Sequence, residues 1–90
     1  MHIFRYMFVE YIQAALRHAK YETLEDDTYM ATVEGLRGVI AVGDTIEDCR
    51  DDLIGAIEGW VALGLRLGHV IPSIDGHTID VSVEPVPVVE

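Results

Sequence analysis

The longest helical pattern of apolar residues runs from Gly43 to Gly68. Within it, small and apolar residues recur at the period of an α-helix, about 100° per residue, which is typical of a helix that packs on a sheet. The predicted core face consists of Ile46, Cys49, Leu53, Ala56, Ile57, Trp60, Leu63, Gly64 and Leu67. Asp44 or Thr45 can cap the first turn, and Gly68, with Pro72 beyond it, ends the helix.

A second apolar stripe lies beside this face. It consists of Ile54, Val61 and Leu65, and it makes the apolar arc wider than contact with a small sheet requires. We therefore predict a homo-oligomer, a dimer or a tetramer, with these three residues at its interface. Coverage of the stripe by another helix of the same chain is the alternative.

The rest of the chain predicts one more helix and a small sheet. Residues 4–19 carry Phe4, Phe8 and Tyr11 at helical spacing. Short runs of β-branched and aromatic residues predict two strands joined by a tight acidic hairpin, then a third strand and, with alternating polarity, a fourth. These strands are Lys20–Leu24, Tyr29–Val33, Val39–Val42 and a strand containing Ile79, Val81 and Val83.

This order of elements predicts an α+β fold, in which an antiparallel sheet of about three or four strands is packed by the long helix and the N-terminal helix. We expect a single domain over residues 1–90, with a helical extension at 1–19, a core at 20–84 and a tail at 85–90. The tail begins at Pro85 because Pro85 and Pro87 lack the backbone donor that a strand needs.

The composition is strongly acidic. Sixteen Asp and Glu residues against six Lys and Arg give a net charge of −10. This balance argues against binding to DNA, whose phosphates require basic side chains, and favours a basic partner. The single Cys49 excludes an intrachain disulfide, and the absence of a leader pattern or a long apolar run predicts a cytoplasmic protein without membrane association.

No pattern of catalytic or metal-binding residues stands out. Glu25, Asp26 and Asp27 are consecutive, as in a solvated turn, whereas a metal-dependent nuclease needs carboxylates that converge from several elements. The four histidines lack the spacing of zinc ligands, and Cys49 lies on the predicted core face, where a thiol behaves as a small hydrophobic group. We therefore expect no enzymatic activity, no cofactor and no metal.

Three segments resemble one known family. They are the run from Tyr21 to Val39, the run Gly43-Asp44-Thr45-Ile46-Glu47-Asp48-Cys49, and the run Gly68-His69-Val70-Ile71-Pro72. Together they resemble the HicB-type antitoxin domain, in its short, stand-alone form without a C-terminal DNA-binding module. The chain departs from that pattern at three points: Thr28 stands where glycine is common, Arg37 where proline is usual, and Cys49 where alanine is common.

The resemblance implies a partial RNase H-like fold and a partner, a small basic RNase toxin of the HicA type, which the domain binds and masks. We take six residues as candidates for partner binding: Asp26, Asp27, Tyr29, Arg37, Asp51 and Asp52. Asp51 and Asp52 lie beyond the first helical turn. An acidic side chain gains little from the helix dipole there, so the dipole does not explain these two residues. The alternative is an orphan oligomeric module that binds a protein or a small molecule and has no toxin partner.

Overall fold

The structure is a computed structural model that describes residues 2–79. Helix α1 (His2–Arg17) is followed by strands β1 (Ala19–Thr23), β2 (Tyr29–Val33) and β3 (Ile40–Gly43) and by the long helix α2 (Ile46–Arg66). The α+β class predicted from the sequence is confirmed, with three antiparallel strands and two helices. The strand boundaries lie within one residue of the predicted ones.

The sheet has the order β1-β2-β3 and is antiparallel throughout. Thr23 pairs with Tyr29 to close the hairpin, and Tyr29 in turn pairs with Gly43 at the end of β3. In the hairpin loop, the Leu24 N–H donates to the Thr28 carbonyl at 2.8 Å, and Asp27 has a φ of 65°. The hairpin turn therefore has its left-handed residue at Asp27, an aspartate, which tolerates positive φ, and needs no glycine at residue 28.

Both ends of α2 follow the predicted local signals. The Thr45 hydroxyl accepts from the Asp48 N–H at 3.0 Å, which is an N-cap. Gly68 has a φ of 77°, its N–H donates to the Leu65 carbonyl, and the His69 N–H donates to the Gly64 carbonyl, which is the Schellman arrangement. Over residues 2–79, neither this helix nor α1 combines the length and apolarity needed to cross a bilayer.

The core lies between the sheet and the two helices, and α1 contributes to it. Tyr11, Ile12, Ala14 and Ala15 of α1 are buried in one cluster with the inward residues of the sheet and of α2. The Tyr11 hydroxyl also donates to the Pro72 carbonyl at 2.5 Å and ties α1 to the segment after α2. The C-terminal half of α1, expected to belong to an extension, is therefore part of the core.

The buried face of α2 differs from the predicted one. Its buried residues are Cys49, Leu53, Ile57, Val61 and Gly64, whereas Ile46, Leu63 and Leu67 are exposed. A helix of 21 residues is roughly 32 Å long, while β3, with 4 residues, spans roughly 13 Å, so the last turns of α2 extend past the strand. Leu63, at 56% exposure, and Leu67, at 59%, lie on this overhanging part.

The predicted oligomer interface also needs correction. Val61 is 0% exposed and belongs to the buried cluster, so it is not available to a second subunit. Helix α1 packs against α2, and its buried Tyr11 and Ala15 belong to the same cluster, so the chain itself covers this part of the stripe. Ile54 and Leu65 are partly buried against the core, and their part in self-association stays a prediction.

The predicted fourth strand falls largely outside the described residues. Ile79 is buried, but Val81, Val83 and the tail at 85–90 lie beyond residue 79. Just before them, Ile74 and His77 form an isolated antiparallel bridge, with backbone hydrogen bonds of 2.9 and 2.7 Å in the two directions. The chain therefore makes a tight turn at Asp75 and Gly76, both with positive φ.

Candidate partner-binding surfaces

Most of the exposed carboxylates lie at one end of the sheet. Because Tyr29 pairs with both Thr23 and Gly43, the hairpin loop and the start of α2 meet at this end. We call the surface the acidic end, and it consists of eight exposed acidic residues: Glu25, Asp26, Asp27, Asp44, Glu47, Asp48, Asp51 and Asp52. Arg50 is the single basic residue in these segments.

Two carboxylates of the acidic end also stabilise the fold locally. Asp26 Oδ1 accepts from the Thr28 hydroxyl at 2.6 Å and from the Thr28 N–H at 3.2 Å, and these bonds hold the pKa of Asp26 below its usual value. Asp52 Oδ2 accepts from the Val42 N–H at 3.1 Å. Since β3 is an edge strand, this bond occupies a donor that another strand could otherwise use. Both side chains nevertheless remain exposed.

The structure groups four of the six candidate residues and separates the others. Asp26, Asp27, Asp51 and Asp52 all belong to the acidic end. Tyr29 is half-buried against the core, and its carbonyl lies 3.6 Å from Cys49 Sγ. Arg37 lies in the β2–β3 connection, which leaves the sheet at the opposite end, so it does not share a surface with the four aspartates.

An apolar groove at that opposite end was not predicted from the sequence. It encloses about 420 Å³ between the β2–β3 connection, the last turns of α2 and the segment that follows. Its lining includes Arg37, Trp60, Leu63, Leu67, Val70 and Pro72. The Trp60 indole N–H donates to the Arg37 carbonyl at 2.9 Å and so joins two of these walls. The signal that could have revealed it is the length of α2, which exceeds that of the sheet.

Cys49 is completely buried between α2 and the sheet. Its Sγ lies 3.6 Å from the Tyr29 carbonyl and 3.8 Å from the Ala41 carbonyl. Burial, together with the Asp52 carboxylate, raises the pKa of this thiol. A buried, protonated thiol is a poor nucleophile. Among the side chains that the structure describes, residues 7–79, no three His, Cys, Asp or Glu groups are placed to hold a metal ion.

Two histidine–carboxylate pairs connect α1 and its C-terminal end to the turn at residues 74–77. His18 Nε2 lies 2.8 Å from Asp75 Oδ1, and His77 Nδ1 lies 3.7 Å from Glu10 Oε1. Arg17 Nε adds a longer contact of 3.7 Å to Asp75 Oδ2. The hydrogen bond from His18 is the main cause that holds the pKa of Asp75 below its usual value. These pairs fasten the turn to the helix.

Comparison with solved structures supports the fold. The crystal structure of TTHA0281 from Thermus thermophilus superposes with a TM-score of 0.76 at 28% sequence identity, over 82% of this chain and 93% of that chain. No curated protein matches the sequence. The model of the UPF0150-like family matches residues 10–72, which include the C-terminal half of α1, the whole sheet and all of α2. Because this match spans most of the chain, the protein belongs to the UPF0150-like family.

Proposed function

We propose that this protein is a non-enzymatic, HicB-like antitoxin domain that binds and masks a small basic partner, an RNase toxin of the HicA type. The observation that carries the proposal is the acidic end, where the hairpin loop and the first turns of α2 present eight exposed carboxylates together. Membership of the UPF0150-like family and the resemblance of residues 20–72 to HicB domains support the same assignment.

The charge of the acidic end is not balanced within the described chain. The ion pairs that the structure shows in residues 7–79 all connect α1 and its C-terminal end with the turn at 74–77. Like charges held close together repel one another and cost stability. A basic partner would remove this repulsion on binding, and the field of the acidic end would accelerate the encounter.

The internal roles of some of these acids do not account for the whole surface. Thr45 already caps α2, Glu47 and Asp48 complement its dipole, and Asp26 and Asp52 hold local backbone donors. The side chains of Glu25 and Asp51, in contrast, make no hydrogen bond or ion pair with any described residue. These two side chains are therefore the best probes of partner binding, because their replacement leaves the fold intact.

Titration calorimetry with the product of a small basic open reading frame beside the gene tests the proposal. We expect binding that weakens as salt rises, since surface charge pairs are screened. We expect the double variant Glu25→Gln, Asp51→Asn to bind more weakly than the wild type. The matched control is Glu34→Gln, Glu58→Gln, which removes the same charge from exposed positions outside the acidic end and should leave the affinity nearly unchanged.

Two outcomes would contradict this assignment. An equal loss of binding affinity in the test and control variants would show that the net charge of the protein determines binding and that the acidic end does not. No binding to any adjacent basic product would favour the orphan module, whose partner is another protein or a small molecule.

We further propose that the protein has no nuclease activity, since its carboxylates lie on one turn and one helix start, and that it does not bind duplex DNA specifically. RNA cleavage by the purified protein with Mg²⁺ or Mn²⁺, abolished by Asp26→Asn, would refute the first statement. A salt-resistant gel shift on the upstream region of its own gene would refute the second. The cytoplasmic location and the homo-oligomeric state belong to the same proposal, and fractionation of the native host and light scattering test them.

A further inference from the structure

We propose that a second copy of this chain packs on the outer face of the sheet, related to the first by a two-fold axis that runs across the strands. The outer face is the side of the sheet that is turned away from α2. The proposal rests on the homo-oligomeric state proposed above and names the surface that forms it. It uses neither the acidic end nor the groove, so it is independent of toxin binding.

The strand register determines which side chains share the outer face. Ala31, Val33 and Ala41 are buried in the core, so the residues that alternate with them point to the opposite side of the sheet. The outward residues form two rows across the three strands: Lys20, Thr32 and Ile40 in one row, and Glu22, Met30 and Val42 in the other.

The β3 side of the outer face is apolar. Ile40 is 57% exposed and Val42 is 54% exposed, and Met30, which pairs with Val42, is half-buried. Two exposed aliphatic side chains next to each other on one face form a patch, and packing it on another apolar surface would remove it from water.

The edge of β3 is less suited to a second copy than its outer face. The Val42 N–H donates to Asp52 Oδ2 at 3.1 Å, so this donor is already used. The exposed Asp52 carboxylate would also meet the same charge on a second copy that paired along this edge. Packing face to face leaves the bond intact.

The β1 side of the outer face carries one charge of each sign. Lys20 and Glu22 are exposed, and their side chains make no hydrogen bond or ion pair with any described residue. The six outward side chains of the described strands therefore have no net charge, in a chain whose net charge is −10. Two acidic molecules repel each other least where each presents a neutral surface.

The two charges select one orientation. A two-fold axis that runs across the strands, between the two rows, places each strand over the same strand of the second copy and exchanges the rows. Lys20 then faces Glu22 of the second copy, and Ile40 faces Val42. An axis along the strands would place β1 over β3, and so the charged Lys20 over the aliphatic Ile40, which costs desolvation without a partner. The selected arrangement is that of two aligned sheets packed about 10 Å apart.

Light scattering over a range of protein concentrations tests the surface. We expect the wild type to form a reversible dimer, because a small interface supports only weak association. Ile40→Asp should weaken dimerisation by at least about tenfold, because each copy would bury an unpaired carboxylate. The matched control is Leu63→Asp, since Leu63 is 56% exposed but lines the groove, and it should leave the dimer unchanged. Circular dichroism verifies that both variants are folded.

Exchange of the two charges tests the orientation. Lys20→Glu and Glu22→Lys each place like charges opposite one another, and each should weaken dimerisation by about three- to tenfold. The double variant keeps the wild-type net charge and should restore dimerisation, and a mixture of the two single variants should form heterodimers. Arg50→Glu, at an exposed position outside the outer face, changes the net charge as Lys20→Glu does and should leave the dimer nearly unchanged.

Three outcomes would overturn the proposal. A wild type that is monomeric at its highest soluble concentration would refute the homo-oligomeric state itself, while calorimetry with the toxin would still decide the antitoxin role. A dimer that resists Ile40→Asp and dissociates with Leu63→Asp would place the interface at the groove. Stronger dimerisation of Glu22→Lys than of the wild type would show that net charge, and not the facing of Lys20 with Glu22, governs association.

Discussion

Gly43, the last residue of β3, lies so close to Cys49 in the first turn of α2 that a Cβ atom on Gly43 would come within 2.7 Å of Cys49 Cα. The neighbouring atoms are backbone atoms of α2, which cannot move without shifting the helix. The absence of a side chain at Gly43 therefore allows the helix start to pack directly on the end of the sheet.

We predict that Gly43→Ala destabilises the protein by about 1–3 kcal/mol, the usual cost of forcing an extra carbon into a packed site. The control is Gly59→Ala within α2, where a Cβ meets nothing within 4 Å. This change should stabilise by roughly 0.5–1 kcal/mol because alanine loses less backbone entropy in a helix. Urea unfolding measures both, and a Gly43→Ala variant as stable as the wild type would contradict the close packing.

Val61 and Leu63 have opposite environments although they are two residues apart in α2. Val61→Asp places a charge in the core and should unfold the protein, because a buried unpaired carboxylate costs several kcal/mol, much of the stability of a small domain. Leu63→Asp, at an exposed position, should retain the folded circular dichroism spectrum. A Val61→Asp protein that is folded and has a lower mass by light scattering would instead show that Val61 lies at an interface between subunits.

Alkaline pH should destabilise the protein through Tyr11. Burial raises the pKa of this hydroxyl to about 12, and the same group titrates near 10 in the unfolded chain. The folded state therefore binds the proton more tightly, so this contribution is complete below about pH 10 and is lost as the pH rises through about 12. The midpoint of urea unfolding, measured as a function of pH, should fall less between about pH 10 and 12 in Tyr11→Phe than in the wild type. Tyr21→Phe, at an exposed position, should behave like the wild type.

Acid pH should weaken the attachment of the turn at residues 74–77. The hydrogen bond from His18, followed by smaller contributions that include Arg17, lowers the pKa of Asp75. The stabilisation is therefore present above the usual pKa of an aspartate and is lost as the pH falls through the lower, folded-state value. Asp75→Asn should reduce stability slightly at neutral pH and remove part of the loss below about pH 4. Asp51→Asn, which removes an exposed carboxylate that has no partner among the described residues, is the control.

Local chemistry made much of the fold predictable. The Thr45 cap, the helix end at Gly68 and the left-handed Asp27 each depend on a few consecutive residues, so their signals are written in the sequence. The two helices, the three strands of the sheet and the hairpin followed from periodicity for the same reason. The sequence shows the acidic residues of the acidic end, but not that they lie together in space. Their proximity depends on the pairing of Tyr29 with both Thr23 and Gly43.

What periodicity could not decide is which face of α2 meets the core along its whole length. That depends on where the sheet ends and where α1 packs, and both are properties of distant segments. The short β3 leaves Leu63 and Leu67 beyond the sheet, while α1 packs against α2 and shares one buried cluster with Val61. The sequence by itself determined the elements and their ends, because these rest on short-range hydrogen bonds. Only the tertiary structure decided the burial of Val61 and the presence of the groove, because these rest on the relative lengths and positions of packed elements.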